Sequence, residues 1–412
     1  MIYLGEISKI ITDKHWEYFI NSEGYKKIKE YYLDSTLSVQ MRLIFRKLLH
    51  DDDLLKNIII GKPEVLRNLI DLYNSEIVNK CRIFEKIEFD FYTDYVSNGG
   101  WHYIHKTINQ NEAKLLSKKN SKSFSKQEIE NRKNQINSRF KELEVFYGIT
   151  NPESLFLKDL KRRYLQIFNR LKNNIIVWNN LLVEIFNYSK FTIKLNKWNA
   201  YKYTEKLGCN VCPYCNRNYI HTLRTEKGST RPELDHFYPK SIYPFLSISI
   251  YNLIPSCHIC NSNLKGSINF YKNKHLHPFE DTNYNKLKFK IRYKPNVSIT
   301  PLLQIEDFDI VCDFVKESEN DENKIVKNSV ETFKIEELYN FHKDVAQEVV
   351  FNSVYYNETK RNELKSFLGD NIEIDDNFID RVIYGNYLDE NELGKRPLSK
   401  FTSDLIQSLK TE

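Results

Sequence analysis

A chain of 412 residues is long enough for two or three domains, and its 12 glycines and 11 prolines are too few for a turn-rich all-β protein. The first residues lack a basic stretch followed by an apolar one, and no apolar run reaches membrane-spanning length, so we expect a soluble, cytoplasmic protein. Seven cysteines, four of them in close pairs, favour metal binding in a reducing compartment over a disulfide framework.

The distribution of charge along the chain is more informative than the net charge of +6. Residues 1–200 have a net charge of +9, residues 201–294 have +9, and residues 295–412 have −12. A basic body suits a nucleic acid, because the phosphate backbone is a dense line of negative charge. The acidic C-terminal region could dock a basic partner protein, shield the basic body or form a solvated surface.

The N-terminal region, residues 1–200, has the apolar spacing of helices. Residues 25–32 and 63–73 repeat apolar side chains at the helical period, and Pro63 suits a first helical turn. Residues 117–123 have no apolar period and indicate a linker, after which a capping box at 125–128 opens a helix to about residue 147. A longer helix is expected from Ser154 to about Tyr188. We expect this region to bind substrate or a partner.

The central region, residues 201–294, contains two Cys-x-x-Cys pairs. Four thiolates in two close pairs suit one tetrahedral structural Zn²⁺ ion. The predicted ligands are Cys212, Cys215, Cys257 and Cys260. Cys209 stands at the same spacing from Cys212, and the sequence leaves open whether Cys209 or His277 joins a metal site.

Between the pairs, residues 232–237 alternate like a strand that ends in Asp235 and His236. A neutral imidazole can take a proton from water, and a carboxylate offers the hard oxygen that Mg²⁺ or Mn²⁺ prefers. A second strand follows at 251–255 with Asn252, and Asn261 begins a short helix directly after the second cysteine pair. Alone, Asn261 reads as a helix cap and Asn252 as a turn residue.

The C-terminal region, residues 295–412, is acidic and expected to be mostly helical, with helices at 335–351, 358–368 and 401–409. No phosphate-binding P-loop motif occurs in the chain, so it is not itself a P-loop ATPase. The predicted fold class is α+β, mainly α-helical, with a central zinc-bound module between helical N- and C-terminal regions.

The Asp-His pair, the two asparagines and the surrounding cysteine pairs resemble the HNH nuclease family, and the resemblance covers about residues 205–280. It implies a ββα-metal (His-Me finger) module with His236 as general base, Asp235 and Asn261 as ligands of a catalytic Mg²⁺ or Mn²⁺ ion, and Asn252 orienting His236. The candidates for holding neighbouring phosphates are Lys265, Lys240 and Arg217.

The general arrangement also resembles HNH proteins of bacterial anti-phage defence, of the Septu kind, which work with a partner ATPase. The sequence therefore indicates a metal-dependent HNH endonuclease that hydrolyses DNA and acts as an effector in antiviral defence. Two alternatives stay open: an RNase that uses the same site, and a non-catalytic zinc-ribbon module for nucleic-acid binding or assembly.

Overall fold

The structure is a computed structural model that describes residues 1–81, 83–97, 145, 175–280, 284–295, 304–314, 321–368 and 375–411. The expected linker at 117–123, the capping box at 125–128 and the first twenty-one residues of the helix expected from Ser154 lie outside the described residues. Within the described part of the chain, no helix is long and apolar enough to cross a membrane.

The described part of the N-terminal region is mainly helical, as predicted. Its helices are α1 (Lys9–Ile20), α2 (Glu23–Leu33), α3 (Val39–His50), α4 (Asp52–Ile60), α5 (Pro63–Leu72) and α6 (Lys86–Ser97), with a π-helix at Tyr73–Lys80 after α5. Helices α2 and α5 confirm the two helical patterns, and Pro63 stands in the first turn of α5. Side chains of Ser22, Ser38 and Asp51 cap the starts of α2, α3 and α4 by accepting from backbone N–H groups.

Two further N-terminal helices and one at the boundary lead into the central region, which continues with short strands. The helices are α7 (Val177–Ile185), α8 (Tyr188–Phe191) and α9 (Ala200–Leu207), and the strands are β1 (Leu223–Arg224), β2 (Ser229–Thr230), β3 (Glu233–His236) and β4 (Leu253–Ser256). Strands β1 and β2 pair as one antiparallel hairpin, and β3 and β4 form a second antiparallel pair. A π-helix, Ile259–Lys265, follows β4 at the place where the sequence predicts a short helix.

A third antiparallel pair spans the boundary expected at residue 294. Strand β5 (Leu287–Tyr293) pairs along its whole length with β6 (Phe308–Phe314). The later helices are α10 (Asp321–Thr332), α11 (Ile335–Tyr339), α12 (Lys343–Tyr355), α13 (Glu358–Leu368), α14 (Asp376–Tyr384) and α15 (Ser399–Thr411). The described part of the C-terminal region is therefore mostly helical, and the helix expected at 335–351 is two helices separated by a 3₁₀ turn at Asn340–His342.

Buried side chains from all three regions form one continuous core. On the N-terminal side, buried His15 of α1 donates from Nε2 to the carbonyl oxygen of Ile248 at 2.6 Å, and Arg67 of α5 makes two hydrogen bonds of 2.6–2.7 Å to Glu280. On the C-terminal side, the backbone N–H of Lys400 donates to Asn216 Oδ1 at 3.1 Å. The loops of the central region are thus held by helices that precede and follow it.

Candidate active site

The two strands that hold the candidate residues are in register, with Asp235 opposite Ile254 and His236 opposite Leu253. Asn252 lies directly before β4, and its side chain bonds to the backbone of the loop between the two strands. Its side chain accepts from the backbone N–H of Tyr238 at 2.7 Å and donates to the carbonyls of Tyr238 and Leu246 at 3.1 and 2.9 Å. Asn252 is fully buried, and among the described residues its side chain bonds to the loop backbone around His236 and not to the imidazole ring.

The four cysteines predicted as zinc ligands come together in one cluster. Their Sγ atoms all lie within 4.8 Å of one another, and Cys215 and Cys257 are 4.0 Å apart. A tetrahedral site with Zn–S bonds of about 2.3 Å has sulfur–sulfur edges of about 3.8 Å, so the cluster fits one zinc ion. Cys209 stands apart, because its thiol donates to the carbonyl oxygen of Val211 and burial raises its pKa to about 12.

Hydrogen-bond donors surround the sulfur atoms of this cluster. Asn218 Nδ2 donates to Cys257 Sγ at 3.3 Å, and the backbone N–H of Arg217 donates to Cys215 Sγ at 3.4 Å. Such donors stabilise thiolates and fix the orientation of metal ligands. His277 is outside the cluster and packs its ring against Phe237 at 4.2 Å between centroids.

One cavity of about 460 Å³ lies beside the cysteine cluster and brings most of the candidate residues together. The residues that line it and were singled out from the sequence are His236, Asp235, Asn261, Lys265 and Lys240. Arg217 lies elsewhere, because its Nε donates to His342 Nε2 at 2.9 Å. The cavity is therefore the place where the predicted base, the predicted ion ligands and two of the three predicted phosphate contacts meet.

His236 is held in a neutral form that can act as a base. Nε2 lies 2.9 Å from the carbonyl oxygen of Ser247, and because a carbonyl only accepts, Nε2 carries the proton and Nδ1 has the lone pair. Burial, the nearby Lys240 ammonium and, less strongly, Lys265 lower the pKa of His236 to about 3, against the opposing effect of the Ser247 bond. The ring of Tyr188 packs edge-on against the imidazole at 4.6 Å.

Asp235 is buried and accepts a hydrogen bond on each carboxylate oxygen. Tyr214 donates its hydroxyl to Oδ2 at 2.6 Å, and Lys265 donates from Nζ to Oδ1 at 2.8 Å. The Lys265 side chain is 1% exposed, also donates to the carbonyl oxygen of His236 at 2.8 Å, and lies 4.9 Å from the ring centroid of Phe270. The ammonium of Lys265 therefore belongs to the scaffold of the site and points at protein groups.

The sequence reasoning missed Glu233, which organises the side chain of Asn261. One Glu233 oxygen accepts from Asn261 Nδ2 at 2.8 Å and from the Ser262 hydroxyl at 3.0 Å, and the other lies 2.7 Å from His258 Nδ1. Because the amide nitrogen of Asn261 is bound to Glu233, the amide oxygen is the end left for another ligand. Glu233 stands two residues before Asp235, on the same face of β3, and this spacing was the available signal.

A second omission is Arg231, which lines the same cavity. Its guanidinium lies 5.5 Å from the ring centroid of Tyr201 and donates to the carbonyl of Pro232, and its buried Nε has no hydrogen-bond partner within the described residues. On the same wall, Lys240 Nζ lies 4.6 Å from the ring centroid of Tyr188, and burial lowers the pKa of Lys240. Two cations and an aromatic ring thus flank His236.

The oxygen donors on the cavity wall fit a divalent cation. Asp235, Glu233 and Asn261 supply carboxylate and amide oxygens, which are the ligands that Mg²⁺ and Mn²⁺ prefer. A carboxylate has about four lone-pair positions, so the two donors on Asp235 leave positions for an ion. The residues that would hold it are Asp235 and Asn261, with Glu233 fixing Asn261.

Comparison with known proteins gives one informative similarity. The chain is 37% identical over 79 residues to the Septu protein PtuB of Bacillus thuringiensis. The matched stretch is 19% of this chain and 28% of that protein, so most of both chains lies outside it. No protein-family model matches the sequence, and no solved structure matches it.

Proposed function

We propose that this protein is a metal-dependent HNH endonuclease that hydrolyses DNA phosphodiester bonds. The observation that supports the proposal most directly is the single cavity lined by His236, Asp235 and Asn261 beside a cluster of four cysteines. The order of antiparallel strands, loop and helix also agrees with the ββα arrangement that the resemblance implies. A scaffold protein would need only the cysteines, so the remaining polar residues favour catalysis.

In this proposal, His236 removes a proton from the attacking water. The ring is neutral at pH 7, and its proton on Nε2 is held by the Ser247 carbonyl, so Nδ1 accepts the water proton. A base with so low a pKa is weak in the free protein. An anionic phosphate beside Lys240 offsets the charge of that ammonium and so reverses that part of the lowering of the His236 pKa, while the larger part, due to burial, remains.

A bound Mg²⁺ or Mn²⁺ ion would supply Lewis acidity that stabilises the charge developing on the phosphate oxygens. Asp235 and Asn261 would hold it, while Tyr214, Lys265 and Glu233 orient those two ligands. Arg231 and Lys240, on the wall beside His236, contact the phosphates on either side of the cleaved bond. Lys265 keeps Asp235 and the His236 backbone in place.

The similarity to a Septu protein supports a role in bacterial anti-phage defence, together with a partner protein. In such a role the nuclease acts on invading DNA, and the acidic region beyond residue 294 contacts the partner. A plaque assay in bacteria that express the chain with its neighbouring genes tests this part. A His236→Ala chain expressed at the same level should lose any protection that the wild-type chain gives.

The biochemical test is cleavage of plasmid, single-stranded DNA and RNA with and without Mg²⁺ or Mn²⁺. Wild-type protein should cut DNA only with a divalent ion, and His236→Ala should reduce the rate by about 10²-fold or more. His221→Ala, an exposed histidine outside the cavity, is the matched control and should cleave normally. If the protein cleaves RNA but not DNA, it is an RNase and not a DNA endonuclease. If it binds nucleic acid without a divalent ion and cleaves none of the three substrates, catalysis is refuted.

A further inference from the structure

Two side chains donate hydrogen bonds to Asp235, and each belongs to a segment next to one of the two Cys-x-x-Cys pairs. Tyr214 stands between Cys212 and Cys215, and Lys265 follows Cys260 by five residues at the end of the π-helix. The two donors take different oxygens of the carboxylate, at 2.6 and 2.8 Å. The carboxylate is therefore fixed from two sides by segments that the cysteines themselves anchor.

Burial makes these contacts persistent. The side chains of Tyr214, Asp235 and Lys265 are at most 2% exposed, so water does not compete for their hydrogen bonds. The ring of Tyr214 stacks on Phe333, with 4.4 Å between centroids and planes 17° apart, which fixes the direction of its hydroxyl.

The two oxygens of Asp235 have different donors, and this affects ion binding because Lys265 is itself a cation. Without the Tyr214 hydroxyl, the Asp235 carboxylate can rotate and place both oxygens on the Lys265 ammonium. A lysine bound in that way competes with a divalent ion for the same oxygens. The Tyr214 hydroxyl holds Oδ2 away from the ammonium and limits Lys265 to Oδ1.

We propose that Tyr214 is a positioning residue that transmits the geometry of the cysteine cluster to Asp235 and keeps the carboxylate available to a divalent cation. The inference rests on the proposed function only for the identity of the ion site. It predicts a role in ion binding for a residue of the first Cys-x-x-Cys pair that is not itself a zinc ligand.

The test compares Tyr214→Phe with Tyr339→Phe. Tyr339 is also a fully buried tyrosine, and its hydroxyl donates to the carbonyl of Cys215 at 2.7 Å, so its loss disturbs the same cysteine pair without touching a carboxylate. Zinc content, melting temperature and Mn²⁺ affinity by calorimetry are measured without nucleic acid. Asp235→Asn protein identifies the part of Mn²⁺ binding that belongs to this site.

Both tyrosine variants should retain one zinc per chain, and Tyr214→Phe alone should bind Mn²⁺ about 10-fold to 100-fold more weakly, the usual effect of removing a group that orients a metal ligand. Equal Mn²⁺ affinity in Tyr214→Phe and Tyr339→Phe, or no Mn²⁺ binding that depends on Asp235, would overturn the proposal. If Tyr214→Phe loses its zinc, Phe333→Leu is the deciding variant, because it keeps the Tyr214 hydroxyl but removes the stacked ring that fixes its direction. Phe333→Leu should then bind Mn²⁺ more weakly, and an unchanged Mn²⁺ affinity of Phe333→Leu would also overturn the proposal.

Nucleic-acid cleavage is measured on the same proteins as a separate readout. A wild-type protein that binds Mn²⁺ through Asp235 but cleaves neither DNA nor RNA refutes the nuclease function and leaves the role of Tyr214 supported. If the Tyr214→Phe variant cleaves nucleic acid normally and binds Mn²⁺ as tightly as the wild type, the role of Tyr214 is refuted and the nuclease function stands.

Discussion

The buried pair of Lys265 and Asp235 gives the most quantitative prediction for this protein. Removing one partner of a buried ion pair leaves an uncompensated charge and costs about 3–5 kcal/mol of folding free energy. Lys265→Met also removes the hydrogen bond to the His236 carbonyl, which adds about 1 kcal/mol. Because methionine has a similar length and an apolar body, we expect Lys265→Met to destabilise the protein by about 4–6 kcal/mol.

The assay is a double-mutant cycle with Asp235→Asn, read from denaturant unfolding and from release of zinc to a coloured chelator. The double variant has neither buried charge, so it should be more stable than the sum of the two single changes predicts, by about 2–3 kcal/mol. The matched control is the exposed pair Lys26–Glu23, at a similar distance of 2.8 Å and with side chains 63% and 79% exposed. Its coupling should be below about 1 kcal/mol. An equally small coupling energy between Lys265 and Asp235 would show that the Lys265 ammonium is solvated and would contradict a buried ion pair.

Three further predictions concern the metal cluster, the basic wall and a buried histidine. Cys257→Ser should contain less than one zinc per chain and melt at a lower temperature, whereas Cys81→Ser, outside the cluster, should keep its zinc by elemental analysis. Arg231→Gln and Lys240→Gln should each weaken DNA binding in anisotropy titrations and reduce the dependence of log affinity on log salt by about 1. Arg217 lies outside the cavity, so an equal loss of affinity in Arg217→Gln would contradict the assignment of Arg231 and Lys240 as the DNA contacts. Burial lowers the pKa of His15 to about 4 in the folded protein, so as the pH falls the unfolded chain binds a proton at His15 before the folded protein does. The free energy of unfolding should therefore decrease as the pH drops from 6.5 toward 4, by up to about 3 kcal/mol. His15→Gln should be less stable at pH 7 but lose less stability between pH 7 and pH 5, and an unchanged pH dependence of unfolding would contradict this.

Local patterns in the sequence were sufficient for the elements that local forces determine. The helical spacing of residues 25–32 and 63–73 predicts α2 and α5, and the alternation around Asp235 predicts β3. Two Cys-x-x-Cys pairs predict a cluster because ligand spacing is itself a local property. In each case the residues that define the pattern lie close together in sequence, although the cluster itself joins Cys215 and Cys257, which are 42 residues apart.

Strands β5 and β6 were missed although the sequence contains a signal for them. Leu287, Phe289, Ile291 and Tyr293 alternate with basic residues, which is the pattern of a strand with one buried face. The partner strand has acidic residues opposite two of the three basic ones, with Lys288 opposite Asp313 and Arg292 opposite Asp309. Reading the acidic C-terminal region as a separate helical unit hid this complementarity.

The roles of the basic residues could not be assigned from sequence, because a lysine or arginine looks the same whether it is buried or solvated. Lys265 follows the second cysteine pair as a phosphate contact would, yet its ammonium lies between Asp235 and the His236 carbonyl. Arg217 bonds to His342, which is 125 residues away, and Arg231 faces the cavity. Only the pairing of distant segments distinguishes these three residues.

The environment of His236 depends on segments far outside the motif that contains it. The carbonyl of Ser247 fixes the tautomer of the imidazole, and the Ser247 hydroxyl donates to the carbonyl of Phe186, at the end of α7. The next residue, Ile248, accepts from His15 of α1, whose other ring nitrogen accepts from Trp198 at 3.0 Å. The loop that prepares the base is therefore held by the N-terminal helices. Substitutions at His15 or Phe186 should change the His236 environment while the motif itself stays intact, and this is why the flanking helices belong to the chemistry of the site.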